Sequence, residues 1–365
     1  MISQTANRFY SNRSNFLSNF FFDPVILVLG VGLVLFSLVM VYSTTGIIAD
    51  EKFGDAFFYV KRQGVSVVIG FILMFLATRV SASFLQKISP YCYFFCLLCL
   101  IVTLIPGIGD SAGGAQRWID LKFVRFQPGE FVKLSFTIFA AGYFSRYEDR
   151  LVNFKEGIIK PMVFTSIICG LFLLQPDFGS CVIIFTVMLG MALVSGVRLM
   201  HLGACFMAGA IAAGFLVLVS PYRMKRLVSF LDPFADPAGK GYQLIQSLIA
   251  IGSGQATGVG LGGSQQKLFF LPAAHTDFIF AVISEELGFI GAVVTLIPFL
   301  ILLWRGLKLS RWVIEDTFSF SLIVGLILLI IVPAMLNVGV VTGLLPTKGM
   351  VLPLIGYGGS SLVMC

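Results

Sequence analysis

The segment Leu271-Pro-Ala-Ala-His-Thr-Asp-Phe278 sets one carboxylate, Asp277, directly ahead of a long apolar run. An aspartate in that place can cap a helix, which stabilises it by about 1 kcal/mol. Held where water is scarce, it can instead serve as a general base. The neighbours tilt the reading toward chemistry: His275 and Thr276 add hydrogen-bonding groups, and Glu285 and Glu286 follow two turns inward, where ionised carboxylates are costly. Glu130 and Lys133 are three residues apart, share one helix face and can pair. The pair suits a site, and equally a tether between two helices. Arg117, beside Trp118, has the fork that grips a phosphate. Asp177 lies in the tight turn Gln175-Pro-Asp-Phe-Gly179, where it caps a helix or faces a ligand. A divalent ion, Mg2+ or Mn2+, on Asp177 or Asp277 stays open, because two carboxylates of unknown separation define no ligand set. The glycine runs 258–263 and 356–359 allow backbone to approach a ligand, but lack phosphate-loop spacing. His201 and the Phe and Met stripes read as packing residues.

What must position these groups is a membrane bundle. Of 365 residues, 58% are hydrophobic and 12% charged, and the mean hydropathy is +0.96. No soluble domain of this size could bury that much apolar surface. A helix needs about 20 apolar residues to cross the hydrocarbon core, and apolar runs of 14 to 26 residues recur at 24–48, 64–78, 90–106, 131–144, 161–175, 179–197, 199–221, 278–303 and 318–341. A tenth starts near Leu352 with too few residues to span, so the chain is expected to continue past Cys365. The reading is all-α: one membrane domain over 24–365, a cytoplasmic segment 1–23 without a cleavable signal pattern, and a large extracytoplasmic loop at 222–277. The seven cysteines lie in apolar stretches and read as small hydrophobes. The net charge of +7 comes from scattered loop residues, which suits anionic lipid or a phosphorylated substrate and excludes a nucleic-acid site. Lys and Arg divide twelve to each side, with Lys133 inside a span. The denser cytoplasmic-side clusters, Arg146 to Lys160 and Arg305 to Arg311, put the N-terminus inside.

Several motifs then resemble one family, the SEDS proteins of shape, elongation, division and sporulation. They are Gly114-Ala-Gln-Arg-Trp-Ile119, Gln127-Pro-Gly-Glu130 with Lys133, Gln175-Pro-Asp-Phe-Gly179, the stretch 226–237, Leu271 to Phe280, Glu285-Glu-Leu-Gly288, Asn337 to Gly349 and Tyr357-Gly-Gly-Ser-Ser361. The stretches 222–226 and 260–267 look like the division branch. The chain departs from the family's pattern at Gly129, Ala273 and Gly356. The resemblance implies a bundle of ten transmembrane helices and a peptidoglycan glycosyltransferase that polymerises lipid II at the septum of the bacterial cytoplasmic membrane, with inversion and release of undecaprenyl pyrophosphate. It also implies a class B penicillin-binding protein and other division membrane proteins as partners. By position it makes Asp277 the catalytic carboxylate and places Arg117, Glu130, Lys133 and Asp177 on the central cavity. His275, Thr276, Glu286 and Lys348 join them as candidate substrate contacts. A lipid II flippase and a non-catalytic scaffold that recruits a transpeptidase are the alternatives.

Overall fold

The computed structural model describes residues 22–105, 109–112, 115–120, 125–237, 239, 241–268 and 270–365. Most of the expected cytoplasmic segment, 1–21, lies outside them. The helices are α1 (Pro24–Phe53), α2 (Phe58–Ala77), α3 (Ala82–Leu104), α4 (Pro128–Arg146), α5 (Lys160–Leu174), α6 (Phe178–Val194), α7 (Leu199–Val219), α8 (Pro221–Leu231), α9 (Tyr242–Gly254), α10 (Ile279–Ser310), α11 (Thr317–Val341) and α12 (Gly359–Met364). Between α3 and α4 the connection forms a small antiparallel sheet, β1 (Gly109–Ala112), β2 (Ala115–Asp120) and β3 (Arg125–Phe126), in that order. It is the one departure from an all-helical chain among the described residues.

Seven segments, α1, α2, α3, the stretch 155–174 ending with α5, α7, the stretch 279–313 that holds α10, and α11, have the length and apolarity to cross a membrane. Two more expected spans, α4 and α6, are shorter, and α4 carries Glu130, Lys133 and Arg146. Both lie deep in the bundle, where neighbouring helices rather than lipid meet their polar groups. Several boundaries differ from the hydropathy reading: α1 runs on to Phe53, α2 starts at Phe58 and α3 starts at Ala82, with Pro90 inside it. Polar residues at these ends still complete turns of helix that begin in the apolar core.

Two apolar clusters fill the interior. One joins α3, α4, α5 and α6 through Phe136, Phe144, Phe172, Ile184 and Met191. The other joins α1 and α10 to the segment after α11 through Met40, Phe280, Ile283, Phe299 and Ile355. Helix α11 contributes to both, Leu329 to the first and Val341 to the second, and so ties the halves together. Asp23 fixes one corner, since its carboxylate caps α1 at Val25 and Ile26 and pairs with Arg305 at 2.7 Å.

The segment 222–277 is structured rather than an open loop. It begins with the basic amphipathic helix α8, which suits the membrane surface. Next comes α9, tied to α11 where the Ser247 hydroxyl donates to the Val341 carbonyl at 2.7 Å. The stretch 255–260 is then woven into α10. At Gly288 (φ 67°, ψ −167°) α10 breaks, which would leave backbone groups unpaired in an apolar interior. Instead, Val259 and Gly260 donate to the carbonyls of Glu285 and Glu286, both at 3.0 Å. In return, Phe289 and Ile290 donate to Gln255 and Ala256 at 2.8 and 3.1 Å. Any Cβ on Gly288 would sit 2.4 Å from the nitrogen of Gly258, so the crossing demands glycine.

Candidate active site

Several connections meet at one end of the bundle, and they carry most of the residues singled out from the sequence. The Ala273 carbonyl gathers the N–H groups of Thr276, Asp277 and Phe278 at 3.1 to 3.3 Å, with Ala273 itself in the left-handed region at φ 57°. This turn raises Asp277 above the start of α10. Asn337 secures it: the buried amide donates at once to the carbonyls of Asp277 (2.7 Å) and Met350 (2.6 Å). The segment 348–350 is thereby laid against Asp277, close enough that a Cβ on Gly349 would come within 2.6 Å of Asp277 Oδ2.

Beside it, Lys348 reaches over the first turn of α6 to within 3.6 Å of Asp177 Oδ1. Its ammonium occupies the space a side chain at residue 179 would need, 1.0 Å from the ideal Cβ position of Gly179. Arg117, projecting from β2, donates from Nε to the Gln175 carbonyl at 3.2 Å and from Nη2 to the Pro176 carbonyl, and lies 4.0 Å from Asp177 Oδ1. Asp177 also accepts from the Ser180 hydroxyl at 2.7 Å and caps α6, while its charge is met by Lys348 and Arg117. Below them Lys133 donates to Glu130 at 2.7 Å, one turn along α4, both side chains buried. Arg226 of α8 completes the ring by donating to the Thr347 carbonyl at 3.1 Å.

The electrostatics follow from this crowding of cations around two carboxylates. Burial drives the Asp277 carboxyl up to about 6, although Arg117, Arg226 and Lys348 pull the other way. Burial acts upward on Asp177 as well, but Lys348, Arg117 and the Ser180 hydroxyl outweigh it and hold that carboxyl below its ordinary value. Lys348 is pushed down to about 8, because burial and the nearby Arg117 and Lys133 exceed the attraction of Asp177. His275 is held low by burial and by Lys52, which keeps its imidazole neutral near pH 7. Asp177 and Asp277 do not fit a divalent ion held between them: a metal on Asp177 would have to displace Lys348 and Arg117. Among the described residues no three His, Cys, Asp or Glu side chains gather as ligands.

Glu286 is not brought to this group. It lies nine positions beyond Asp277, about 13 Å along a helix, and is fully buried against Lys267 at 2.7 Å, with the Ser43 hydroxyl donating to it from α1. Glu285 accepts from the Ser264 hydroxyl and from the Gln265 N–H. The adjacent glutamates therefore lock the stretch 255–267 onto the broken helix. Removing one partner, as in Lys267→Met, is expected to cost about 3 to 5 kcal/mol by stranding a buried carboxylate, read as a lower thermal transition in detergent. Replacing both, in Lys267→Met with Glu286→Leu, is expected to restore most of it. Sequence reasoning missed Arg226, Asn337 and Lys267 as positioning groups, and the packing of Lys348 on Gly179. Only Asn337, a polar residue late in an otherwise apolar helix, left a local signal.

Comparison with known proteins agrees with this architecture. A probable peptidoglycan glycosyltransferase FtsW of Francisella salina is 42% identical over 346 residues, 94% of this chain and 86% of that protein. Stage V sporulation protein E of Bacillus subtilis is 39% identical over 347 residues, 94% of this chain and 93% of its own. A solved chain from a peptidoglycan synthase complex, described as coordinating polymerization and crosslinking, superposes with a TM-score of 0.72 at 31% identity, covering 91% of this chain and 93% of that one. The model of the FtsW, RodA and SpoVE family, described as cell cycle proteins, matches residues 24–365, and to that family this chain belongs.

Proposed function

We propose that this chain is a peptidoglycan glycosyltransferase that polymerises lipid II, with Asp277 as its base. The observation that carries the reading is the placement of Asp277: a part-buried carboxylate raised to about 6, within the field of Arg117, Arg226 and Lys348. A base poised near neutral pH beside cations is what the transfer needs. The 4-hydroxyl of the acceptor sugar attacks the anomeric carbon of the donor, and its proton passes to the Asp277 carboxylate. The new C–O bond forms as the bond to the diphosphate breaks, and the diphosphate leaves with the electron pair on the opposite face, inverting the anomeric centre. Lys348, still largely protonated at pH 7, and Arg117 meet the charge that develops there, with Lys133 behind them. Asp177 keeps these cations in place between turnovers. His275 and Thr276 border the acceptor side, and Glu130 holds Lys133.

The same reading puts the N-terminus in the cytoplasm and this face outside the bacterial inner membrane, at the septum. That placement accounts for the twelve Lys and Arg residues on the outer side against the usual bias. The partner is a class B penicillin-binding protein, which crosslinks the strands made here. The test is polymerisation of lipid II by the purified chain in detergent, with and without that partner, where no membrane sidedness remains for a flippase to act on. Long glycan strands support the reading, and their absence in both conditions refutes it. Lys133→Ala is expected to lower turnover about 100-fold while the protein still elutes as a folded monodisperse species. Aggregation instead would assign the Glu130–Lys133 pair to the scaffold.

A further inference from the structure

The loop that carries Asp277 has a second side, of which the mechanism above uses only His275. There the His275 ring sits between Tyr59 and Tyr357, with centroids 5.4 and 5.7 Å away, and the two tyrosines meet edge to face at 5.2 Å. The Tyr357 N–H donates to the His275 carbonyl at 2.9 Å, so the cluster is fastened to the catalytic loop itself. Arg62 lies beside the Tyr357 hydroxyl and stacks over Phe58 at 4.5 Å, while Lys52 projects its charge onto His275. The three rings are partly exposed and the two cations are exposed. Asp55, the carboxylate in the α1–α2 turn, is taken by Lys61 at 2.7 Å, and neither Lys52 nor Arg62 is ion-paired among the described residues.

Half-exposed aromatic rings bearing hydroxyl and imidazole groups offer flat apolar faces to sugar C–H bonds and polar edges to sugar hydroxyls. A guanidinium and an ammonium beside them suit a diphosphate. A polymerase that joins two lipid-linked sugars must hold two diphosphates, one on each side of its base, and the cations here fall into two such sets. Resting on the polymerase reading, we infer that Tyr59, Arg62, His275 and Tyr357, with Lys52, form the acceptor subsite. The acceptor sugar packs on the rings and its diphosphate lies against Arg62 and Lys52, leaving Lys348 and Arg117 for the diphosphate that departs.

The experiment counts lipid II on the full chain carrying Asp277→Asn, which holds substrate without consuming it, by native mass spectrometry in detergent. Two equivalents are expected. Arg62→Gln with Tyr357→Leu should weaken the second at least about tenfold, and Arg62→Lys should retain it. With Asp277 intact, Arg62→Gln should raise the KM for lipid II about tenfold and change kcat by less than about twofold, whereas Lys348→Gln should lower kcat. Arg62 is exposed, so its single variant carries the test if the tyrosine variant does not fold. Two equivalents persisting on the double variant would overturn the assignment. So would phosphatidylglycerol filling the second place as readily as lipid II, or an Arg62→Gln defect confined to kcat. A wild-type chain that binds two lipid II molecules yet makes no strands would refute the polymerase reading and leave the two-site inference standing.

Discussion

Asp277→Asn is expected to lower lipid II polymerisation by about 1,000-fold or more and, at the same time, to make the protein more stable at pH 7. The two effects share one cause. The folded protein raises this carboxyl from 3.8 to about 6, so folding favours its protonated form. That contribution is fully present below the unfolded value near 3.8 and is lost as pH rises through about 6. Above that, the ionised carboxylate costs up to about 3 kcal/mol, a ceiling reduced by solvent reaching a part-exposed group. Asparagine keeps the shape and never ionises, which removes the cost together with the base. A thermal transition equal to or above wild type alongside lost turnover is the expected pair of readouts. A lowered transition would make Asp277 a structural carboxylate. In the wild type, kcat/KM should climb with an apparent pKa near 6 as Asp277 ionises and fall near 8 as Lys348 loses its proton. A flat profile between pH 5 and 9 would remove both groups from the chemistry.

The sequence made some of this arrangement legible. Uninterrupted apolar runs located the spans because a bilayer leaves helices few alternatives, and Asp277 stood out because a carboxylate at the mouth of such a run is expensive. The Glu130–Lys133 pair was readable because its spacing is local to one helix. The break in α10 was not: Gly288 sits in an apolar run like any membrane glycine, and its meaning comes from the stretch 255–260 that crosses it. Glu286 looked like a site residue for the same reason, since its partners Lys267 and Ser43 are brought to it only by tertiary packing. The amphipathic α8 was hidden inside what read as a loop and the end of a span. Asn337 could be noticed as polar, but its double donation to residues 277 and 350 depends on two loops folding back together.

Gly179→Ala should have the next largest effect after the loss of Asp277, although alanine is the better helix former by about 1 kcal/mol. The added Cβ would fall 1.0 Å from Lys348 Nζ, 2.1 Å from Cε and 2.7 Å from Cδ, and meets no other atom among the nearest three. What must yield is therefore the flexible end of Lys348 rather than backbone, so the chain folds and the ammonium leaves its place beside Asp177. Displacing a preorganised donor from a developing negative charge costs about 100-fold in turnover or more. Lys348→Met should show the same loss. Because both substitutions act through one ammonium, adding Gly179→Ala to Lys348→Met should do almost nothing further, a coupling close to the full effect of either. If the double variant instead loses another factor of about ten, the glycine serves α6 or substrate directly, and Lys348 is not the group that the bare α-carbon of residue 179 makes room for.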